Sequence, residues 1–185
     1  MKSYVLLYDG FVQFEIILSL LLLKDKSEIH TFTVDERVVP SHERIKAMAD
    51  LTLDDVKPDD VDLLIIPGGE PGIYKDCKAI NNLLREIHKR RKPIAAICGG
   101  PEFLANAGIL KDKRITHGHD PEYALKVFTD CTIVDDDVVV DGNIITARGQ
   151  AYAEFAIEIC RQLSLFENEK EAEETLSWFK NTSWQ

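Results

Sequence analysis

The sequence lacks the paired cysteines that a metal site or a disulfide framework requires. Its four cysteines form no C-x-x-C pair and do not have zinc-site spacing: Cys77, Cys98, Cys131 and Cys160. Cysteines that bind one metal ion are usually close together in the sequence. Disulfide frameworks are typical of small secreted proteins. We therefore expect reduced thiols and no metal.

An apolar run long enough to cross a bilayer is also missing. The most apolar stretch, residues 14–23, is interrupted by Glu15 and Ser19, whereas a transmembrane helix needs about 20 apolar residues. The basic start and cleavage site of a signal peptide are absent as well. These absences predict a cytoplasmic protein without a membrane partner, in which this stretch is a core helix.

Positive charge is scarce. The chain has 22 Lys and Arg residues against 32 Asp and Glu residues, so its formal net charge is -10. Nucleic-acid phosphates repel such a chain, and the one basic cluster, residues 89–92, is expected at a helix C-terminus, where cations complement the helix dipole. No segment is left over for a helix-turn-helix. We therefore expect no nucleic-acid partner.

The alternation of segments predicts the fold class. Short aliphatic or β-branched runs alternate with longer helical patterns, which is typical of an α/β fold with three layers, a doubly wound and mostly parallel sheet covered on both faces. The predicted strands are residues 4–7, 29–34, 63–66, 94–97, 114–116 and 144–146. The predicted helices are residues 15–23, 79–90, 102–107, 121–127 and 151–163. Residues 132–134 and 138–140 are expected as antiparallel strands at the sheet edge.

No linker or repeat divides the chain, so we expect a single domain over residues 1–185. Its C-terminal helix is expected at about residues 167–180, docked on the body through Ala172, Leu176 and Phe179. The alternative is a partner-binding helix, because Trp178 and Trp184 place apolar surface at the chain end.

Cys98 is the strongest candidate for a reactive residue. An apolar run ends at this cysteine and is followed by two glycines, a proline and a helical pattern. Such a strand, sharp turn and helix form a nucleophile elbow, and the helix N-terminus favours a thiolate. We therefore expect the pKa of Cys98 to be lowered below the roughly 8.5 of a free cysteine. A buried structural cysteine is the alternative.

Other polar and glycine residues should meet Cys98, because chemistry in a parallel sheet collects at the carboxyl ends of the strands. Glu15 follows the first strand and opens the first helix, a position that also suits an ordinary helix-start acid. Gly69 follows the predicted strand at residues 63–66, and His117 and His119 follow the one at residues 114–116.

In this order, these segments resemble the ThiJ/PfpI superfamily, which includes the parkinsonism-associated protein deglycase and bacterial isonitrile hydratases. The resemblance lies in residues 11–15, the L-x-x-x-P-G-G of 63–69, the A-A-I-C-x-G-P of 95–101, the T-H of 116–117 and the T-A-R-G of 146–149. It implies a flavodoxin-like fold of the class I glutamine amidotransferase type, and a homodimer.

The resemblance also implies roles for individual residues. Glu15 matches the acid that lies against the cysteine, where it must be largely protonated to donate a hydrogen bond to a thiolate. Gly69 and Gly99 match the positions whose backbone amides form an oxyanion cradle. His117 matches the third residue of the deglycase-like branch, and His119 is equally eligible by spacing.

The predicted function is a cofactor-free, cysteine-dependent enzyme that acts on small reactive carbonyls, as a glyoxalase or deglycase. Proteolysis is disfavoured because Gly99 stands where the protease-like branch has a histidine. One alternative is an isonitrile hydratase-like hydro-lyase, although that branch commonly has an aspartate in place of Glu15. The other is a non-enzymatic stress protein that senses oxidants through Cys98.

Overall fold

The computed structural model describes residues 1–181, so Trp184 lies outside the described residues. The strands are β1 (Lys2–Leu6), β2 (Glu28–Thr33), β3 (Val38–Pro40), β4 (Lys46–Met48), β5 (Leu51–Thr52), β6 (Leu63–Ile66), β7 (Ile94–Ile97), β8 (Arg114–Ile115), β9 (Thr132–Ile133), β10 (Val138–Asp141) and β11 (Ile144–Ala147). The helices are α1 (Phe14–Leu23), α2 (Lys78–Lys89), α3 (Pro101–Asn106), α4 (Pro121–Val127), α5 (Tyr152–Gln162) and α6 (Glu169–Phe179).

The centre of the fold is a seven-stranded sheet in the order β10-β11-β7-β6-β1-β2-β5. All neighbouring strands run parallel except β10 and β11. The central strands β6 and β7 are entirely buried, as expected of aliphatic runs covered on both faces. On one side α1 packs against α5, and elsewhere α2 packs against α3. The predicted fold class is confirmed.

Two predictions about the strands were wrong. Residues 114–116 do not extend the main sheet, because β8 pairs with β9 in a separate two-stranded sheet. That pair is parallel, so residues 132–134 do not form the antiparallel edge strand we expected. The chain leaves strand geometry after Ile115, where the Thr116 N–H donates to the side-chain hydroxyl of Thr146 at 3.0 Å rather than to a backbone carbonyl. The hairpin of β3 and β4 and the short β5 were not predicted at all.

The C-terminal helix α6 lies on the outer helical layer. Its Ala172 is fully buried, and Leu176 and Phe179 pack against a cluster that contains Leu18 and Ala156. The side chain of Asn168 accepts a hydrogen bond from the Glu171 N–H and caps the helix. Over the part of the chain described here, no helix has the length and apolarity to span a membrane.

Candidate active site

Cys98 lies on a sharp turn between β7 and α3. Its φ is 60°, a left-handed conformation that costs energy for a residue with a Cβ and that recurs at active sites as well as at turns. Its N–H donates to the Ala147 carbonyl at 2.8 Å, which ties the turn to β11. Gly99 permits the bend because a Cβ there would lie 2.1 Å from the carbonyl oxygen of Gly69. This geometry is the nucleophile elbow predicted from the local sequence.

The carboxyl group of Glu15 lies against the cysteine. Glu15 is only 2% exposed, its Oε2 accepts a hydrogen bond from the Gly68 N–H at 2.8 Å, and it hydrogen-bonds to the Cys98 thiol. The start of α1 is held in place by Glu43, whose carboxylate accepts from the N–H groups of Gln13 and Phe14 at 3.1 Å each. The side chain therefore has little freedom to leave the thiol.

Three glycines leave room for this pair. A Cβ on Gly68 would lie 2.2 Å from Oε2 of Glu15, and one on Gly118 would lie 2.7 Å from Sγ of Cys98. A Cβ on Gly149 would lie 2.7 Å from Oε1 of Glu15. Gly118 had no signal in the sequence beyond its position in a loop after a strand, and Gly149 had no assigned role although it ends the T-A-R-G segment of the family resemblance. They let the backbone enclose the two reacting side chains.

The amides of Gly69 and Gly99 face the thiol as hydrogen-bond donors, and each lowers the pKa of Cys98. Burial and the neighbouring carboxylate of Glu15 outweigh them and raise the pKa of Cys98 to about 12. The lowering that we expected from the helix N-terminus was therefore wrong for a thiol beside an ionised Glu15. Burial raises the pKa of Glu15 as well. The two acids oppose each other's ionisation, so the pair keeps at least one proton at neutral pH.

Both candidate histidines lie on the loop that covers the cysteine, and the Gly118 N–H between them donates to the Cys98 carbonyl at 2.7 Å. The ring of His117 stacks on Phe128 with centroids 5.0 Å apart, and its Nδ1 accepts from the His119 N–H at 3.1 Å. The ring of His119 hydrogen-bonds to the backbone of Gly99. Burial lowers the pKa of both imidazoles, which favours their neutral forms.

Glu102, in the first turn of α3, was not singled out by sequence analysis although it is only 2% exposed. Its Oε1 accepts hydrogen bonds from Lys75 Nζ at 2.6 Å and from the Tyr123 hydroxyl at 2.8 Å. Its Oε2 lies 3.4 Å from Nε2 of His119. An acidic residue in a first helical turn is usually exposed beside the helix dipole, so the sequence carried no signal that this one is buried.

The comparisons with known proteins agree with this geometry. The model of the DJ-1/PfpI family matches residues 1–162 of the chain. The chain belongs to the DJ-1/PfpI family. This confirms the resemblance to the ThiJ/PfpI superfamily that the motifs around Cys98 indicated.

Relatives within the DJ-1/PfpI family include enzymes. The chain is 31% identical over 161 residues to a protein of Thermococcus kodakarensis named a deglycase, with 83% of this chain and 94% of the relative covered. It is also 31% identical over 158 residues to the deglycase PfpI of Pyrococcus furiosus, with the same coverage of 83% and 94%. The structure of a DJ-1 superfamily protein from Agrobacterium tumefaciens superimposes with a TM-score of 0.84 at 28% identity, covering 98% of this chain and 99% of that one. Deglycase-named homologues support an enzymatic activity.

Proposed function

We propose that this protein is a cofactor-free enzyme that uses Cys98 to convert small reactive carbonyls, such as glyoxals, to hydroxy acids. The observation that carries the proposal is the contact between the Cys98 thiol and the buried carboxyl of Glu15. These two acids share at least one proton under the amides of Gly69 and Gly99. A nucleophile, a proton donor and oxyanion donors are what addition of a thiol to an aldehyde requires.

The first step forms a carbon–sulfur bond. The sulfur of Cys98 attacks the aldehyde carbon of methylglyoxal, the carbonyl π electrons move to oxygen, and the oxyanion is held by the amides of Gly69 and Gly99. A proton then moves to this oxygen from the Glu15 carboxyl and completes a hemithioacetal. The thiol proton passes to the Glu15 carboxylate as the sulfur attacks, and this proton is the one that Glu15 delivers to the oxygen, so charge does not accumulate.

The second step moves a proton between adjacent carbons. A base removes the hydrogen of the former aldehyde carbon, the electrons shift through an enediol, and the neighbouring carbon is protonated to give a thioester of lactate. Glu15 serves as this base and acid. His117 is a neutral imidazole because burial lowers its pKa, and it assists as a hydrogen-bond donor through Nε2, since its Nδ1 already accepts from the His119 N–H. Water then cleaves the thioester and releases lactate and the free thiol, so one water is consumed per turnover.

Product analysis tests the proposal. Purified protein treated with a chelator is incubated with methylglyoxal, and lactate is measured by NMR against loss of substrate. We expect one lactate per methylglyoxal consumed, at a rate that the chelator does not change. Loss of methylglyoxal without lactate, or chelator-sensitive turnover, would contradict cofactor-free conversion.

A second candidate, oxidant sensing, is favoured by the same hydrogen bond. A carboxyl that hydrogen-bonds to the cysteine can hold the sulfinic acid that forms when two peroxide molecules in turn each transfer one oxygen atom to the sulfur and leave as water. The raised pKa of Cys98 lowers the fraction of thiolate that a peroxide can oxidise at neutral pH. Intact mass measured after mild peroxide separates the two functions, since a sensor gains two oxygen atoms at Cys98 while showing no turnover.

We also propose a homodimer formed through α1. Its Phe14, Ile17 and Leu21 are apolar side chains that are 52%, 46% and 46% exposed, and Tyr152 extends this face by an edge contact with Phe14 at 5.7 Å between centroids. Apolar patches of this kind commonly mark interfaces. A location in the cytoplasm, where a reactive thiol stays reduced, belongs to the same proposal.

Changing Ile17→Glu is expected to convert the dimer to a monomer, because it places a charge in the centre of the apolar face. Equilibrium sedimentation measures the result. The matched control is Leu125→Glu, since Leu125 is 72% exposed on α4 rather than α1 and its change should leave the mass unaltered. A wild-type monomer, or a dimer that survives Ile17→Glu, would contradict this interface.

A further inference from the structure

A cleft of about 410 Å³ lies next to the site of Cys98, and apart from Gly69 its lining residues take no part in the chemistry proposed above. We call it the side cleft, and it is lined chiefly by Gly69, Glu70, Lys75, Glu102, His119 and Asp120. It adjoins the site of the cysteine, because two of its lining residues reach that site: the amide of Gly69 faces the Cys98 thiol, and His119 contacts the backbone of Gly99. A second arm on the reacting carbonyl would extend into it.

The side cleft carries an excess of negative charge. Three carboxylates line it, Glu70, Glu102 and Asp120, against one ammonium, Lys75. The ammonium of Lys75 donates a hydrogen bond to Glu102 at 2.6 Å, so its charge is largely neutralised. The carboxylates of Glu70 and Asp120 are exposed. His119 adds no positive charge, because burial lowers its pKa. A cleft with one dominant sign of charge raises the local concentration of ligands with the opposite sign.

A buried polar atom without a hydrogen bond also favours a ligand that donates hydrogen bonds. Nε2 of His119 is buried and makes no hydrogen bond, although Oε2 of Glu102 is 3.4 Å away. In the tautomer that carries its proton on Nδ1, Nε2 is an acceptor beside this carboxylate oxygen. A buried polar atom without a partner is costly in a protein interior, and in that tautomer an N–H group of a ligand would satisfy Nε2 and could also donate to the carboxylate.

The geometry points to a substrate class: the side cleft binds the protonated amine or guanidinium arm of a carbonyl substrate while Cys98 attacks its carbonyl. This inference rests on the proposed function and adds to it a preference for cationic substrates. The cationic head lies near Glu70 and Asp120 and donates to Nε2 of His119 and Oε2 of Glu102. An anionic arm would find Lys75 already engaged by Glu102 and Tyr123.

Three matched substrates test the preference: phenylglyoxals with an aminomethyl, a hydroxymethyl or a carboxyl group in the para position. We expect kcat/KM to be about tenfold higher for the ammonium than for the hydroxyl compound, and lowest for the carboxylate. The preference should shrink as salt is added, because exposed charges are screened. Equal rates for the three compounds, or a preference for the carboxylate, would overturn the inference.

Two substitutions locate the effect. Glu70→Gln and Asp120→Asn should each lower the ratio of kcat/KM for the ammonium over the hydroxyl compound by about threefold, the size expected of an exposed ion pair. Asparagine can still cap α4 as Asp120 does. The matched control is Glu173→Gln on the exposed face of α6, which should leave the ratio unaltered. An unchanged ratio in the double variant of Glu70 and Asp120 would also overturn the inference.

Measurements of direct binding test the side cleft independently of whether the protein has the proposed activity. If none of the phenylglyoxals is converted, the proposed function fails, and calorimetry with benzylammonium, benzyl alcohol and benzoate then tests the side cleft alone. Saturable binding of benzylammonium that weakens in Glu70→Gln supports the site. Absent binding, or tighter binding of benzoate, rejects it.

Discussion

Changing Cys98→Ser is expected to lower kcat/KM for methylglyoxal by about a thousandfold or more. A serine hydroxyl is a far weaker acid than a thiol and has no base beside it other than Glu15, whose own pKa is raised by burial. The substitution is nearly isosteric, so the turn between β7 and α3 should persist. Lactate formation measured by NMR gives the rate, and circular dichroism checks the fold.

The matched control for this prediction is Cys77→Ser. Cys77 is a half-buried free cysteine at the N-cap of α2, where serine is a preferred capping residue, so the fold should be preserved. We expect wild-type turnover from this variant. Activity that survives Cys98→Ser while the protein remains folded would show that the nucleophile is another group.

Changing Glu15→Gln is expected to lower turnover while it increases the fraction of Cys98 present as thiolate. Turnover should fall about a hundredfold or more, because an amide cannot shuttle a proton between the substrate atoms. The pKa of Cys98 should fall, because the charge of Glu15 is among the causes that raise it and an amide N–H can only donate to the thiolate. A variant with more thiolate and less activity would place the role of Glu15 in proton transfer rather than in ionising the cysteine.

Ultraviolet absorption of the thiolate against pH measures the second effect, and the rate of lactate formation measures the first. In the wild type, thiolate absorption should appear only at alkaline pH, in the direction of the raised pKa of about 12. In Glu15→Gln the titration should move to lower pH. The control is again Glu173→Gln, for which both curves should match the wild type. A thiol that titrates at higher pH in Glu15→Gln would contradict the shared-proton pair.

The fold was predictable wherever the signal was local and repeated. Pro67 and Gly68 follow the aliphatic run at β6, Pro93 precedes the one at β7, and the predicted bounds of both runs agree with the structure. The short strands were harder, because two or three residues carry no periodicity. The partner of β9 was mistaken for this reason: nothing in Thr132 and Ile133 shows whether they pair with β8 or with the sheet edge.

The site divides in the same way. The sequence by itself determined the sharp turn at Cys98. The strand, the two glycines and the helix start that form this turn are adjacent in the chain, so they fix the backbone locally. Only the tertiary structure decided that Glu15, 83 positions earlier in the chain, lies in contact with the thiol, and that Glu102 is buried beside Lys75. The acidity of Cys98 belongs to this second class, because burial and a carboxylate from another element set its pKa, and both depend on how distant segments pack.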